Sequence, residues 1–173
     1  ILSGLVIFFG ILLFYRFFGK MGLFIWMGMA VLIDNVQVMK TISFSVFGLS
    51  FVTAMGNIIY ATTYLASDIL NELHGKKEAR KAVITGFFVM IFFTVIMQLT
   101  LLFTPDMSDT MSPALQQVFG ILPRIAIASL TAYMVSQLVD IWLYAWVKKA
   151  TKGKYLWLRS NSSGFLSQFL DNI

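Results

Sequence analysis

Apolar residues run through this chain in long blocks separated by short polar or charged stretches. The blocks fall at roughly 1–18, 21–39, 50–73, 82–103 and 123–147, and a sixth begins near Asn161 and is still running at Ile173. Each full block is close to the ~20 residues a helix needs to cross a bilayer. The runs are continuously apolar and do not alternate with period two, which predicts spanning helices and excludes a transmembrane barrel. No small-residue cleavage site follows the first block, so a signal peptide is the weaker reading. The expected fold class is all-α, a polytopic transmembrane helix bundle forming one membrane domain over 1–173. The chain opens on Ile1 and closes inside an apolar run, so the C-terminal part of that domain is expected to be missing.

Composition agrees with the pattern. Hydrophobic residues make up 58% of the chain and charged residues only 12%, too few to cover a soluble surface. With 17 Phe, 6 Tyr and 4 Trp the chain is not disordered. The absence of cysteine removes disulfide scaffolds, thiolate metal sites and cysteine nucleophiles.

The charges predict an orientation. Arg16 and Lys20 follow the first block, Lys76, Lys77, Arg80 and Lys81 the third, and Lys148, Lys149, Lys152, Lys154 and Arg159 the fifth. Eleven of the 13 basic residues thus sit in alternate loops, while the loop around Pro105 to Pro113 holds Asp106 and Asp109 and no base. The positive-inside rule makes the basic loops cytoplasmic and the N-terminus external, in the plasma (inner) membrane of a prokaryote. Topology explains the net charge of +5, and a nucleic-acid partner is not needed.

Ionisable groups inside a span cost ~2.5–3.5 kcal/mol or more, so they are expected to face a cavity or a partner. The third span carries Asn57, Tyr60, Tyr64, Ser67, Asp68, Asn71 and Glu72, mostly on one helical stripe. The fifth repeats this with Ser129, Tyr133, Ser136, Gln137, Asp140 and Tyr144. The fourth offers only Thr85, Thr94 and Gln98 and is expected to face lipid. The pattern Ser136-Gln137-Leu138-Val139-Asp140 echoes Ser167-Gln168-Phe169-Leu170-Asp171, which puts a second Gln/Asp pair on the sixth block. The plainer reading of each such residue is interhelical hydrogen bonding at ~0.6 kcal/mol. As a set, Asp68, Asp140 and Asp171 point to a polar cavity. Glu72 belongs to that cavity or reaches interfacial water. Asn35 is the best pocket donor of the second span, and His74 with Gly75 reads as a helix end. Arg124, on the opposite face from Asp140, reads as an interfacial anchor. No catalytic constellation, metal-ligand cluster, phosphate loop or ATPase motif is present, so no enzyme activity and no cofactor are expected.

The polar segments resemble a known family. The stretch Ala66-Ser67-Asp68-Ile69-Leu70-Asn71-Glu72-Leu73-His74-Gly75, continuing to Ala79-Arg80, is similar to a signature of the queuosine-precursor transporters. Arg124 to Ser129, leading through Ala132-Tyr133 to Gln137 and Asp140, resembles that family's second signature, and Ser167 to Asp171 its third. The similarity runs from about Met21 onward. It implies a multipass importer of 7-deazaguanine bases for tRNA queuosine salvage, with a six-helix core related to the substrate-binding (S) components of energy-coupling-factor vitamin transporters. Residues 1–18 would be an additional N-terminal helix, and 21–173 the core, truncated in its fifth core helix. The resemblance also moves Arg124 from anchor to site candidate. The substrate-binding set is then Asn35, Tyr64, Asp68, Glu72, Arg124, Tyr133, Gln137, Asp140, Gln168 and Asp171. Carboxylates can accept a guanine-like pair of N–H groups, glutamine can donate to a ring carbonyl, and aromatic faces can stack.

Besides a purely structural membrane subunit, two other classes fit the residues. One is a transporter or binding subunit for another vitamin or nucleobase; the other is an ion or proton channel lined by the acids. Besides the lipid bilayer and a small-molecule substrate, the missing ATPase motif leaves room for a separate ATPase partner or a homo-oligomer.

Overall fold

The computed structural model of the protein describes residues 2–46 and 48–171, with the side chains of Val46 and Asp171 outside that description. Helices α1 (Leu2–Phe18) and α2 (Lys20–Gln37) lead into a hairpin of strands β1 (Thr41–Val46) and β2 (Leu49–Ala54). Helices α3 (Asn57–Leu73), α4 (Lys76–Leu101), α5 (Ser112–Phe119), α6 (Leu122–Ala150) and α7 (Leu156–Asp171) follow. The segments Lys76–Leu101 and Ser112–Ala150 are long and apolar enough to cross a membrane, whereas the apolar α1 has 17 residues.

The described residues are mostly helical, as expected, but the hairpin adds two strands and corrects the third span. Residues 50–54 are strand, not helix, and α3 starts at Asn57. The physical reason is visible in Thr41-Ile42-Ser43-Phe44-Ser45-Val46, which alternates polar and apolar and is rich in strand-favouring side chains. Antiparallel pairing sets Phe44 opposite Phe51, with stacked rings 5.6 Å apart, and Ser45 opposite Ser50. Three other boundaries move: α4 begins at Lys76 instead of residue 82, α6 extends to Ala150, and α7 begins at Leu156 instead of near Asn161. Helix α5 lies in the loop between the fourth and fifth apolar blocks. Its start is held by Asp109, which accepts the backbone N–H groups of Met111 (2.7 Å) and Ser112 (3.0 Å).

The core is built where α2, α3, α4 and α6 meet. It includes Trp26, Met27 and Val31 of α2, Ile59 and Leu70 of α3, Val83 and Met90 of α4, and Leu130 and Ile141 of α6. Small residues at Ala30, Ala66, Ala79, Ala82 and Ala126 let the helix backbones approach, as expected where lipid removes the hydrophobic drive between helices. At Gly86 an added Cβ would lie 2.7 Å from the Tyr133 hydroxyl, so this crossing needs a residue without a side chain. Helix α4 therefore buries one face among its neighbours and turns Phe88, Phe92, Val95, Ile96 and Leu99 outward. That corrects the expectation of a lipid-facing fourth span: one face is exposed, the other is core. Exposed apolar side chains also cover α1 and the outer faces of α6 and α7, a surface suited to hydrocarbon.

Ion pairs gather the basic loops at one end. Lys20, at the start of α2, lies 2.8 Å from Glu78 at the start of α4, which also takes Lys81 at 2.8 Å. Lys148, near the end of α6, reaches Glu72 at the end of α3. The hairpin follows the opposite end of α2, and Gln98 near the far end of α4 donates to the carbonyl of Phe119 at 2.7 Å.

Candidate functional site

Asp68 of α3 and Asp140 of α6 come together in the interior, close enough for each to feel the other's charge. Helical spacing brings Tyr133, Ser136, Gln137, Asp140 and Tyr144 onto the buried face of α6, and Thr63, Tyr64, Ser67, Leu70 and Asn71 onto that of α3. Two cross-links fix the register of these helices. Gln137 Nε2 donates to Thr63 Oγ1 at 2.6 Å, and Asn71 Nδ2 donates to the Ile141 carbonyl at 3.1 Å.

Helix α7 supplies hydroxyls to both acids. Ser160 Oγ donates to Asp68 Oδ2, and Ser167 Oγ lies 2.9 Å from Asp140 Oδ1. Ser67 and Ser163 stand beside Asp140 but direct their protons to the carbonyls of Tyr64 (2.9 Å) and Ser160 (3.4 Å). Asp68 Oδ1, Asp140 Oδ2 and Gln137 Oε1 are among the buried oxygens without a hydrogen-bond partner within the described residues. Asp140 is 1% exposed and Gln137 0%, so water does not reach them freely. All three atoms are acceptors when the acids are ionised, and an unpaired buried acceptor costs ~1–3 kcal/mol. This interior is short of donors.

Below the acids lies an ion-paired layer. Arg159, only 3% exposed, places Nη2 2.8 Å from Glu72 Oε1 and donates through Nη1 to the carbonyls of Gly153 (3.0 Å) and Lys154 (3.3 Å). Tyr144 Oη donates to Glu72 Oε2 at 3.0 Å and accepts from Arg159 Nε at 3.3 Å. Lys148 Nζ completes the layer, 3.2 Å from Glu72 Oε2. A 450 Å³ cleft between α3 and α7 leads to this region, lined by Asp68, Glu72, Tyr144, Trp157, Ser160 and apolar neighbours. Its size suits a small heterocycle. A larger cavity of 530 Å³ lies by the 100–116 loop, but its acids are already engaged. There the Ser112 hydroxyl holds Asp109 below the usual carboxylate range, and that of Ser108 does the same for Asp106. Among the described residues no three His, Cys, Asp or Glu side chains are grouped to hold a metal ion.

The sequence-derived candidates therefore divide. Tyr64, Asp68, Glu72, Gln137 and Asp140 share the α3–α6–α7 region, Gln137 with its amide nitrogen spent on Thr63. Tyr133 packs its ring 6.4 Å from that of Tyr60 and donates to the Val83 carbonyl at 3.2 Å. Asn35 is buried farther up, accepting from Ser129 Oγ at 2.8 Å. Arg124 is exposed at the start of α6, sixteen residues or roughly 24 Å along the helix from Asp140. Gln168 is exposed on α7, so the echoed motif faces Asp140 through Ser167 and not through its glutamine. The side chain of Asp171 lies outside the described residues. Sequence reasoning missed Ser160, Ser163 and Arg159. The first two share a helical face with Ser167, a stripe that could have been read from spacing. Arg159 was absorbed into the loop charges.

The family described as "Putative vitamin uptake transporter" matches residues 54–173. A Bacillus subtilis (strain 168) protein named "Probable queuosine precursor transporter" is 44% identical over 162 residues, covering 93% of this chain and 69% of its own length. No solved structure matches the chain. With both the family match and this relative extending over the acid-bearing helices, the chain belongs to the vitamin uptake transporter family.

Proposed function

We propose that this protein imports queuosine precursors, the 7-deazaguanine bases, across the plasma membrane of a prokaryote for tRNA queuosine salvage. The observation that carries the reading is the donor-poor interior: Asp68 Oδ1, Asp140 Oδ2 and Gln137 Oε1 are acceptors without partners. A guanine-like edge carries a ring N–H and an amine side by side, and a carboxylate can accept both. The name of the Bacillus subtilis relative supports the same substrate. In this reading Asp68 and Asp140 hold the donor edge, Gln137 accepts a further N–H, and Tyr64 or Trp157 offers a face for stacking. Glu72 acts through its ion pairs at the mouth of the site. Asn35, Tyr133 and Arg124 lie on the path toward the opposite end, and α7 contributes Ser160 and Ser167.

The same reading takes residues 21–173 as part of a six-helix core like that of energy-coupling-factor S components, with 1–18 as an added helix. The basic loops face the cytoplasm, so bases enter from the hairpin end. That core type is compatible with an ATPase partner or a homo-oligomer. The decisive experiment measures queuosine in tRNA of a salvage-dependent host with and without the gene. Queuosine should appear only with the gene and an external precursor. The family description favours one second reading, a transporter for another vitamin, in which uptake of that vitamin and not tRNA queuosine would follow the gene.

A further inference from the structure

Three carboxylates face two cations in the α3–α6–α7 region. Glu72 is paired with Arg159 and Lys148, which leaves Asp68 and Asp140 near each other with no ion pair of their own among the described residues. The groups facing the acid pair are Glu72 from α3, Tyr144 and Lys148 from α6, and Arg159 from α7. On α2 and α4, Lys20, Glu78 and Lys81 are tied to one another at the helix ends. The region is thus one positive charge short, in surroundings where an uncompensated charge is costly.

A second observation points the same way. Ser167 has one hydroxyl proton but three acceptors in reach, Asp140 Oδ1 at 2.9 Å and the carbonyls of Ser163 at 2.6 Å and Gly164 at 3.3 Å. A proton on Asp140 resolves the conflict, because the acid then donates to Ser167 Oγ and the serine to a carbonyl. That single proton also leaves one negative charge on the pair instead of two, which lowers the cost of burying Asp68 Oδ1 and Asp140 Oδ2 without partners among the described residues.

We infer that Asp68 and Asp140 together hold one exchangeable proton, which enters with a neutral base as the coupling ion and is displaced by a base carrying its own positive charge. The inference rests on the proposed substrate class. Import of a neutral base then moves one proton inward with it: the proton is taken from the external side and released to the cytoplasm with the base. A cationic base fills the missing charge itself, expels the proton to the external side and carries the single charge across.

The test uses the purified full chain in proteoliposomes, with 7-deazaguanine as the neutral probe and 7-aminomethyl-7-deazaguanine as the cationic one. With the membrane potential clamped at zero, an inward proton gradient of one pH unit should accumulate 7-deazaguanine about tenfold, and a protonophore should abolish this. The same gradient should not accumulate the aminomethyl compound, which should respond to an inside-negative potential. Residual 7-deazaguanine uptake by Asp68→Asn should lose its response to external pH. Neutral uptake that equilibrates without accumulating, or accumulation by the variant as by the wild type, overturns the coupling while leaving the substrate class standing. Failure of both probes to enter overturns the substrate class and the coupling with it.

Discussion

Replacing Arg159 by Met keeps most of the side-chain volume and removes its charge and all its hydrogen bonds. Arg159 ties three elements together: Glu72 of α3, Tyr144 of α6, and the Gly153 and Lys154 carbonyls of the loop before α7. Breaking a buried ion pair by removing one partner costs ~3–5 kcal/mol when the other charge is stranded. Glu72 is not fully stranded, since its side chain is 29% exposed and keeps Lys148 at 3.2 Å. The expected loss is therefore about 2–3 kcal/mol, which includes the unpaired loop carbonyls. For a chain of this size, that corresponds to a fall in Tm of roughly 4–12 °C, measured by thermal unfolding in detergent. Glu72→Gln should cost less in the Arg159→Met background than in the wild type, because the two residues share one interaction. A Tm within ~1 °C of wild type, or additive losses within ~0.3–0.5 kcal/mol, would refute the idea that this pair holds α7 onto the bundle.

Gly86→Ala should lower stability by ~1–3 kcal/mol through overpacking against the Tyr133 hydroxyl, and Tyr133→Phe in the same chain should recover part of it in a melting assay. Cysteines placed at Asp109 and Lys152 should react oppositely with an impermeant thiol reagent on intact cells, the first labelled and the second protected; the reverse pattern would invert the orientation. Ser167→Ala, which leaves Asp140 without that hydroxyl, should reduce precursor uptake several-fold, while Gln168→Ala, changing an exposed side chain, should stay within about twofold of wild type. Equal losses from the two would restore the glutamine as the working member of the motif.

What the sequence made legible was whatever repeats at helical spacing inside apolar runs. The stripes of α3 and α6 lead directly to Asp68, Gln137 and Asp140, because a polar residue in a span has few places to go. The hairpin was hidden for the opposite reason. Residues 50–54 are apolar enough to extend the following helix on paper, and the period-two alternation that marks the strands lies mostly in residues 41–46. Arg159 was obscured by its neighbours: five bases near one span end read as a topological signal, and only folding reveals that one is buried against Glu72. The facing of Gln168 depends on which side of α7 meets α6, which a five-residue echo does not determine. Arg124 entered through resemblance alone, and its position roughly 24 Å along α6 from Asp140 separates it from the acid pair.

Uptake of 7-deazaguanine by Asp140→Asn tests the account most directly. The change keeps the shape and one acceptor oxygen but loses the charge and the paired acceptor geometry. Asp140 is 1% exposed, and its Oδ2 has no partner among the described residues, so the loss should fall on ligand binding more than on folding. Uptake should fall at least tenfold, equivalent to ~1.4 kcal/mol, at near-normal membrane abundance. Wild-type uptake by this variant would contradict it and make the acid pair a structural contact between α3 and α6.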